Sequence, residues 1–139
     1  MDPQVQDLLI SVGNFSGYFG LALLFVIIFI LVYSFITPHD EWKLIKSEQN
    51  TAASIGLGGA IIGFAIALGG AASNSVSIID FAIWGVIALL AQSLAFAVVR
   101  FIFMPKIVAR IIANEVSAGI ILAAVSISVG ILNSACMSY

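Results

Sequence analysis

Charge is scarce in this chain. Of 139 residues only 9% are charged, with five Lys or Arg, seven Asp or Glu and one His. A soluble domain of this length carries roughly 25% charged residues. Five dispersed basic residues with a net charge of -2 leave no electrostatic footprint for nucleic acid. One cysteine, Cys136, excludes a disulfide within the chain. Proline occurs three times, and none of the three lies inside a long apolar run. No phosphate-binding loop, dinucleotide glycine signature or G-x-S-x-G is present. A second histidine is lacking, and His39, Asp40 and Glu41 are consecutive, so their side chains fan apart; neither metal nor cofactor is expected. No catalytic set can be assembled, so enzymatic activity is not expected.

What is abundant is apolar: 62% of the residues are hydrophobic. Too little polar surface remains to cover a water-soluble globule, and a bilayer is the implied solvent. A spanning helix needs about 20 apolar residues. Four stretches qualify, roughly 18–36, 52–72, 81–103 and 116–135. The reading is an all-α membrane protein of four transmembrane helices in one integral domain, 1–139. Met1 to Leu9 holds Asp2 and Asp7 but no Lys or Arg, so the first stretch is not a cleavable leader and is expected to remain.

Lys43 and Lys46 lie between the first two stretches, and Arg100, Lys106 and Arg110 lie in or beside the connection before the fourth. Cytoplasmic loops are enriched in Lys and Arg, which puts both termini outside and these two loops inside. Thr37-Pro38-His39-Asp40 reads as a helix start, with Thr37 as cap and Pro38 in first position. In the other loop Val108, Ile111 and Ile112 share a face opposite Lys106 and Arg110. Both loops read as short surface helices. His39, Trp42, Lys43, Lys46, Arg100 and Arg110 form the expected cytoplasmic interface. Arg100 is a snorkelling anchor or a partner of Glu115 or a lipid phosphate.

A shift of 67 positions lays Pro38 on Pro105, Lys43 on Arg110 and Glu48 on Glu115; a shift of 65 lays Thr51-Ala52-Ala53-Ser54 on Val116-Ser117-Ala118-Gly119. Each half reads as bulky helix, basic loop, small-residue helix: repeat one over about 14–72, repeat two over about 80–137. Thr37-Pro38-His39-Asp40-Glu41-Trp42-Lys43-Leu44-Ile45-Lys46, then Asn50-Thr51-Ala52-Ala53-Ser54, and the ending Asn133-Ser134-Ala135-Cys136-Met137, closely resemble the YjfL-like family of small bacterial inner-membrane proteins. The likeness covers nearly the whole chain. It implies a bacterial inner-membrane location and two tandem copies of a two-helix unit, and it carries no activity. Where the family's second copy commonly has an Asn-Thr/Val-Ala-Ala-like segment, this sequence has Glu115-Val116-Ser117-Ala118-Gly119. Two helices per copy make the repeats parallel.

Small residues recur in steps of three, four and seven in the second helix, at Gly56, Gly59, Gly63 and Gly70, and in the fourth at Gly119, Ser126 and Gly130. Such faces let backbones approach in lipid, so Gly56, Gly59, Gly63, Gly119, Ser126 and Gly130 are expected to pack helices together. The first and third helices, bulky all round, suit lipid. Gln92, Ser126 and Asn133 are the polar residues expected within the membrane, bridging helices or lining a path. No Asp, Glu, His or Lys lies well inside a helix, which argues against a proton-coupled pump. Two functions stay open. One is a self-associating scaffold or interaction module that contacts lipid and a cytoplasmic or membrane protein. The other is a small homo-oligomeric channel or transporter with its pore between subunits.

Overall fold

Helix α1 (Pro3–Ile36) begins fifteen residues before the apolar stretch that announces it. The Asp2 carboxylate accepts from the Gln4 N–H at 3.0 Å, and Pro3 takes the first helical position. Gln4, Gln6, Asp7 and Asn14 lower the local hydropathy without breaking a helix, so hydropathy alone starts the span too late. The computed structural model describes residues 1–137. Among them α2 is Glu41–Lys46, α3 Thr51–Asn74, α4 Ile78–Val98, α5 Ile107–Ile112 and α6 Val116–Cys136. A π-helical turn, Val99–Phe103, extends α4 and is closed by the Met104 N–H on the Val99 carbonyl at 2.7 Å. No strand is present among the described residues. α1, α3, α6 and α4 with its π turn are each long and apolar enough to cross a membrane. This is a multi-pass, all-α membrane protein, and its uncovered surface suits lipid: Leu23, Ile27, Leu90, Leu94, Ile121 and Leu132 are exposed.

Thr37 does not start α2. Its hydroxyl donates back to the Tyr33 carbonyl at 3.0 Å and closes the end of α1. Asp40 is the true cap, accepting from the Lys43 N–H at 3.1 Å. The apolar run carries α1 to Ile36, and Pro38, lacking an N–H, fits beyond it rather than in a new first turn. In α5 the inward edge is Ile107 and Ile111, while Ile112 is exposed. At the start of α4 the cap is Ser77; Asp80 donates its N–H to that hydroxyl, and its carboxylate accepts from the Val76 N–H.

α3 and α6 form the centre. Ala52 lies by Gly119, Gly56 by Leu122, Gly59 by Ala123, Gly63 by Gly130 and Gly70 by Ser134. Numbers rise together on both helices, so the two run parallel. α1 is not bulky lipid-facing surface all round. Phe25, Phe29 and Tyr33, one per four residues, are buried. Phe29 stacks on Phe64 of α3 at 4.5 Å, while Phe25 and Tyr33 meet Phe81 and Phe96 of α4 edge-on at 6.0 Å. Residues 1–16 are exposed throughout.

Candidate functional site

The helix crossing at Gly63 is where backbone sterics decide the geometry. A Cβ on Gly130 would fall on the Gly63 carbonyl, and one on Gly63 would meet the Ser126 carbonyl and the Gln92 amide. Gly59 has the same relation to the Ala123 backbone, Gly119 to that of Ala52, and Gly56 abuts the Leu122 side chain. By contrast Gly58 and Gly69, on the other side of α3, face open space. Gln92 and Ser126 are fully enclosed. Gln92 donates from Nε2 to the Ser126 carbonyl at 2.7 Å, from α4 to α6. Asn133 returns the connection, donating to the Ala88 carbonyl at 3.2 Å, from α6 to α4. Such bonds contribute about 0.6–2 kcal/mol each in a bilayer. The three polar residues thus meet on the α4–α6 side of the bundle.

At the end where α3 and α6 begin, two asparagines knit the halves together. Asn50 caps α3, its Oδ1 accepting from the Ala53 N–H at 2.8 Å, and its Nδ2 donates to the Ile111 carbonyl at 2.8 Å. Asn114 reaches the other way, its Oδ1 accepting from the Ala52 N–H at 3.0 Å. Gln49 and Asn114 both adopt left-handed backbone, with φ of 51° and 59°. They stand 65 positions apart, the same offset that aligns Thr51 with Val116. Glu115, at the position matching Asn50, makes no side-chain cap on α6.

The basic residues gather at this same end. Lys46 sits over the Trp42 ring at 5.3 Å, with Trp42 exposed. Arg100 lies over the Phe101 ring at 5.4 Å, and Glu115 pairs with Arg110 rather than with Arg100. Lys43 lines a cleft of about 320 Å³ together with His39, Asp40, Glu48 and Ile112. His39 itself is turned inward. It and Glu41, weighed in the sequence only as part of a rejected metal-binding run, are buried, with His39 Nε2 3.4 Å from Glu41 Oε1. The Ser34 and Thr37 hydroxyls lie beside the Glu41 carboxyl, and burial pushes that carboxyl up to about 7. Burial likewise holds His39 below its ordinary value. The four-residue step of buried Phe25, Phe29 and Tyr33 ends with α1 at Ile36, so no periodic signal extends to Glu41. Among the described residues no cluster of metal-ligating side chains occurs.

Residues 6–137 match the family model described as Domain of Unknown Function (DUF350). The chain is similar to the inner membrane protein YjfL of Escherichia coli K12, at 46% identity over 96% of this chain and all of the relative. The same values hold for the YjfL protein of Escherichia coli O157:H7. No solved structure matches.

Proposed function

The chain belongs to the DUF350 family, and we propose that this inner-membrane protein is a non-enzymatic, self-associating scaffold of the cell envelope. The observation that carries this reading is α1. Its 34 residues span about 51 Å at 1.5 Å per residue, against a hydrocarbon core of about 30 Å. Its first half is uncovered, with Leu8, Leu9, Val12 and Phe15 exposed. The part of α1 that exceeds the hydrocarbon core carries apolar residues that acyl chains do not cover, and the partner proposed for it is α1 of a second copy. Gly13 and Gly20, seven apart with nothing near either, give such a pair room for close approach.

The small-residue faces of α3 and α6 take a different role from association between copies, since they are occupied by each other. Gly56, Gly59, Gly63, Gly119, Ser126 and Gly130 act as packing residues within the chain. The two halves are parallel copies of one two-helix unit, 14–72 and 80–137, meeting along α3 and α6. Backbone contact there leaves no lumen within one copy, and Gln92, Ser126 and Asn133 serve as interhelical bonds rather than the lining of a path. Both termini lie in the periplasm. Trp42, Lys43, Lys46, Arg100 and Arg110 then face cytoplasmic partners or anionic headgroups.

Crosslinking in native membranes, followed by light scattering of the detergent-purified protein, tests the reading. Multimers are expected for the full chain. Leu9→Glu with Phe15→Glu should dissociate them, whereas Gly58→Leu should not. A monodisperse monomer of the unaltered chain would refute it. Solute flux through liposomes, abolished by Gln92→Leu, would favour a channel instead.

A further inference from the structure

Glu41 is an acid enclosed without a strong base. Its side chain is 2% exposed, and among the described residues no Lys or Arg forms an ion pair with it. His39, equally enclosed, is its ion-pair neighbour at 3.4 Å. Neither carboxyl oxygen has a well-formed hydrogen bond, although the Ser34 and Thr37 hydroxyls lie beside them; His39 Nδ1 and the Tyr33 hydroxyl are likewise without a partner. So dense a group of unsatisfied buried atoms requires a physical account. An isolated buried carboxylate or imidazolium costs several kcal/mol. With no proton the pair leaves a bare carboxylate; with two it leaves a bare imidazolium. With one it is neutral overall, which is the least costly state.

We propose that the His39–Glu41 pair is a proton-binding site that exchanges one proton with water at the α2/α5 end of the protein. Release yields the Glu41 carboxylate, neutral His39 and hydronium; uptake reverses it, and no other bond changes. The route is geometric: His39 belongs both to the buried pair and to the lining of the open cleft with Asp40, Lys43 and Glu48. The groups facing the pair are few. Tyr33, Ser34 and Thr37 come from α1 and its cap, Asp40 from the turn, Lys43 and Glu48 from the cleft. From α4 the uncharged Phe96 ring lies 6.2 Å from the imidazole, and α3, which packs on α2, carries no titratable side chain. Asp40 adds negative potential that favours retention of the proton by Glu41. Exchange thus falls near neutral pH. This goes beyond the scaffold role and stands without it. The sequence shows no acid or histidine well inside a helix, yet the fold buries one of each at the end of α1.

An infrared pH titration of the full chain in detergent is the test. The carbonyl stretch of a protonated, poorly hydrated carboxyl should be present at about pH 5.5 and vanish with a midpoint at about 7. Glu41→Gln should abolish it, and Glu41→Asp should keep a titrating band. His39→Gln should move the midpoint by at least about half a unit, roughly threefold in proton affinity. No such band above about pH 6, a band that survives Glu41→Gln, or a midpoint indifferent to His39→Gln would each overturn the proposal. Elution of every variant as one species establishes that the spectra report folded protein.

Discussion

The Gln92 side-chain amide donates to the Ser126 carbonyl at 2.7 Å, while Gly63 leaves just the space that this amide fills. One polar side chain thereby ties α4 to α6 against the face of α3. Gln92→Leu keeps the volume and removes the bond. The expected cost is about 0.6–2 kcal/mol, read as lowered thermal stability in detergent. A variant as stable as the unaltered chain would show that the bond adds nothing.

Gly130→Leu should be far more damaging. Its first side-chain atom would overlap the Gly63 backbone, which cannot move aside as a flexible side chain can. Overpacking a close-packed core costs about 1–3 kcal/mol, and a backbone clash stands at or above the upper end. Gly63→Leu should behave alike. Gly58→Leu and Gly69→Leu, facing open space, should stay within about 0.5 kcal/mol. Equal melting temperatures for all four would contradict the crossing geometry.

The left-handed residues give a backbone prediction. Asn114 has φ of 59° and accepts from Ala52. Asn114→Ala loses the bond and, with it, the side chain that makes the left-handed conformation tolerable; Ala holds its β-carbon there at a cost of roughly 1–2 kcal/mol. Asn114→Gly loses only the bond, so it should be the milder change by about 1 kcal/mol. Gln49→Gly, at φ of 51° with no side-chain bond to lose, should stabilise by a similar amount. Denaturation of the three variants side by side checks the order.

Periodicity carried much of this architecture. The apolar runs located α3, α4 and α6 to within a few residues, because a span in lipid has few alternatives to a helix. The offset of 65 found the matched approaches to α3 and α6, where Gln49 and Asn114 turn left-handed. What escaped depends on contacts rather than on period. The start of α1 hangs on one carboxylate over one N–H, beneath a hydropathy window. Thr37 and Asp40 are both sound caps, and only the turn at Pro38 assigns one to each helix. Glu41 stands among polar residues in the sequence; its burial comes from α2 packing on α3 with this side chain beside Tyr33 and Ser34, a tertiary event with no mark in composition.

Orientation can be read directly at Cys136, which is exposed at the end of α6. With both termini outside, an impermeant maleimide should label it in cells whose outer membrane has been permeabilised. Inverted inner-membrane vesicles should stay unlabelled until they are opened with detergent. The reverse pattern would put α2 and α5, with their basic residues, on the periplasmic face.

The stability of the fold should depend on pH through Glu41, with a sign that can be worked out. The carboxyl is raised from 4.5 to about 7, so the folded state holds its proton over a range where the unfolded state has released it. The contribution is complete below about 4.5 and is lost as pH rises through about 7. At 1.36 kcal/mol per unit, about 2.5 units correspond to roughly 3 kcal/mol at full ionisation. Glu41→Gln has no proton to lose. It should match the unaltered chain near pH 4.5 and exceed it by up to about 3 kcal/mol near pH 8.5. His39 acts oppositely. Its depressed value gives stability that is present above its ordinary 6.5 and is lost as pH falls through the folded value. The acid limb should therefore survive in Glu41→Gln and flatten in His39→Gln. Melting curves of the three proteins across this range separate the two limbs. An alkaline limb that persists in Glu41→Gln would mean that another group governs it.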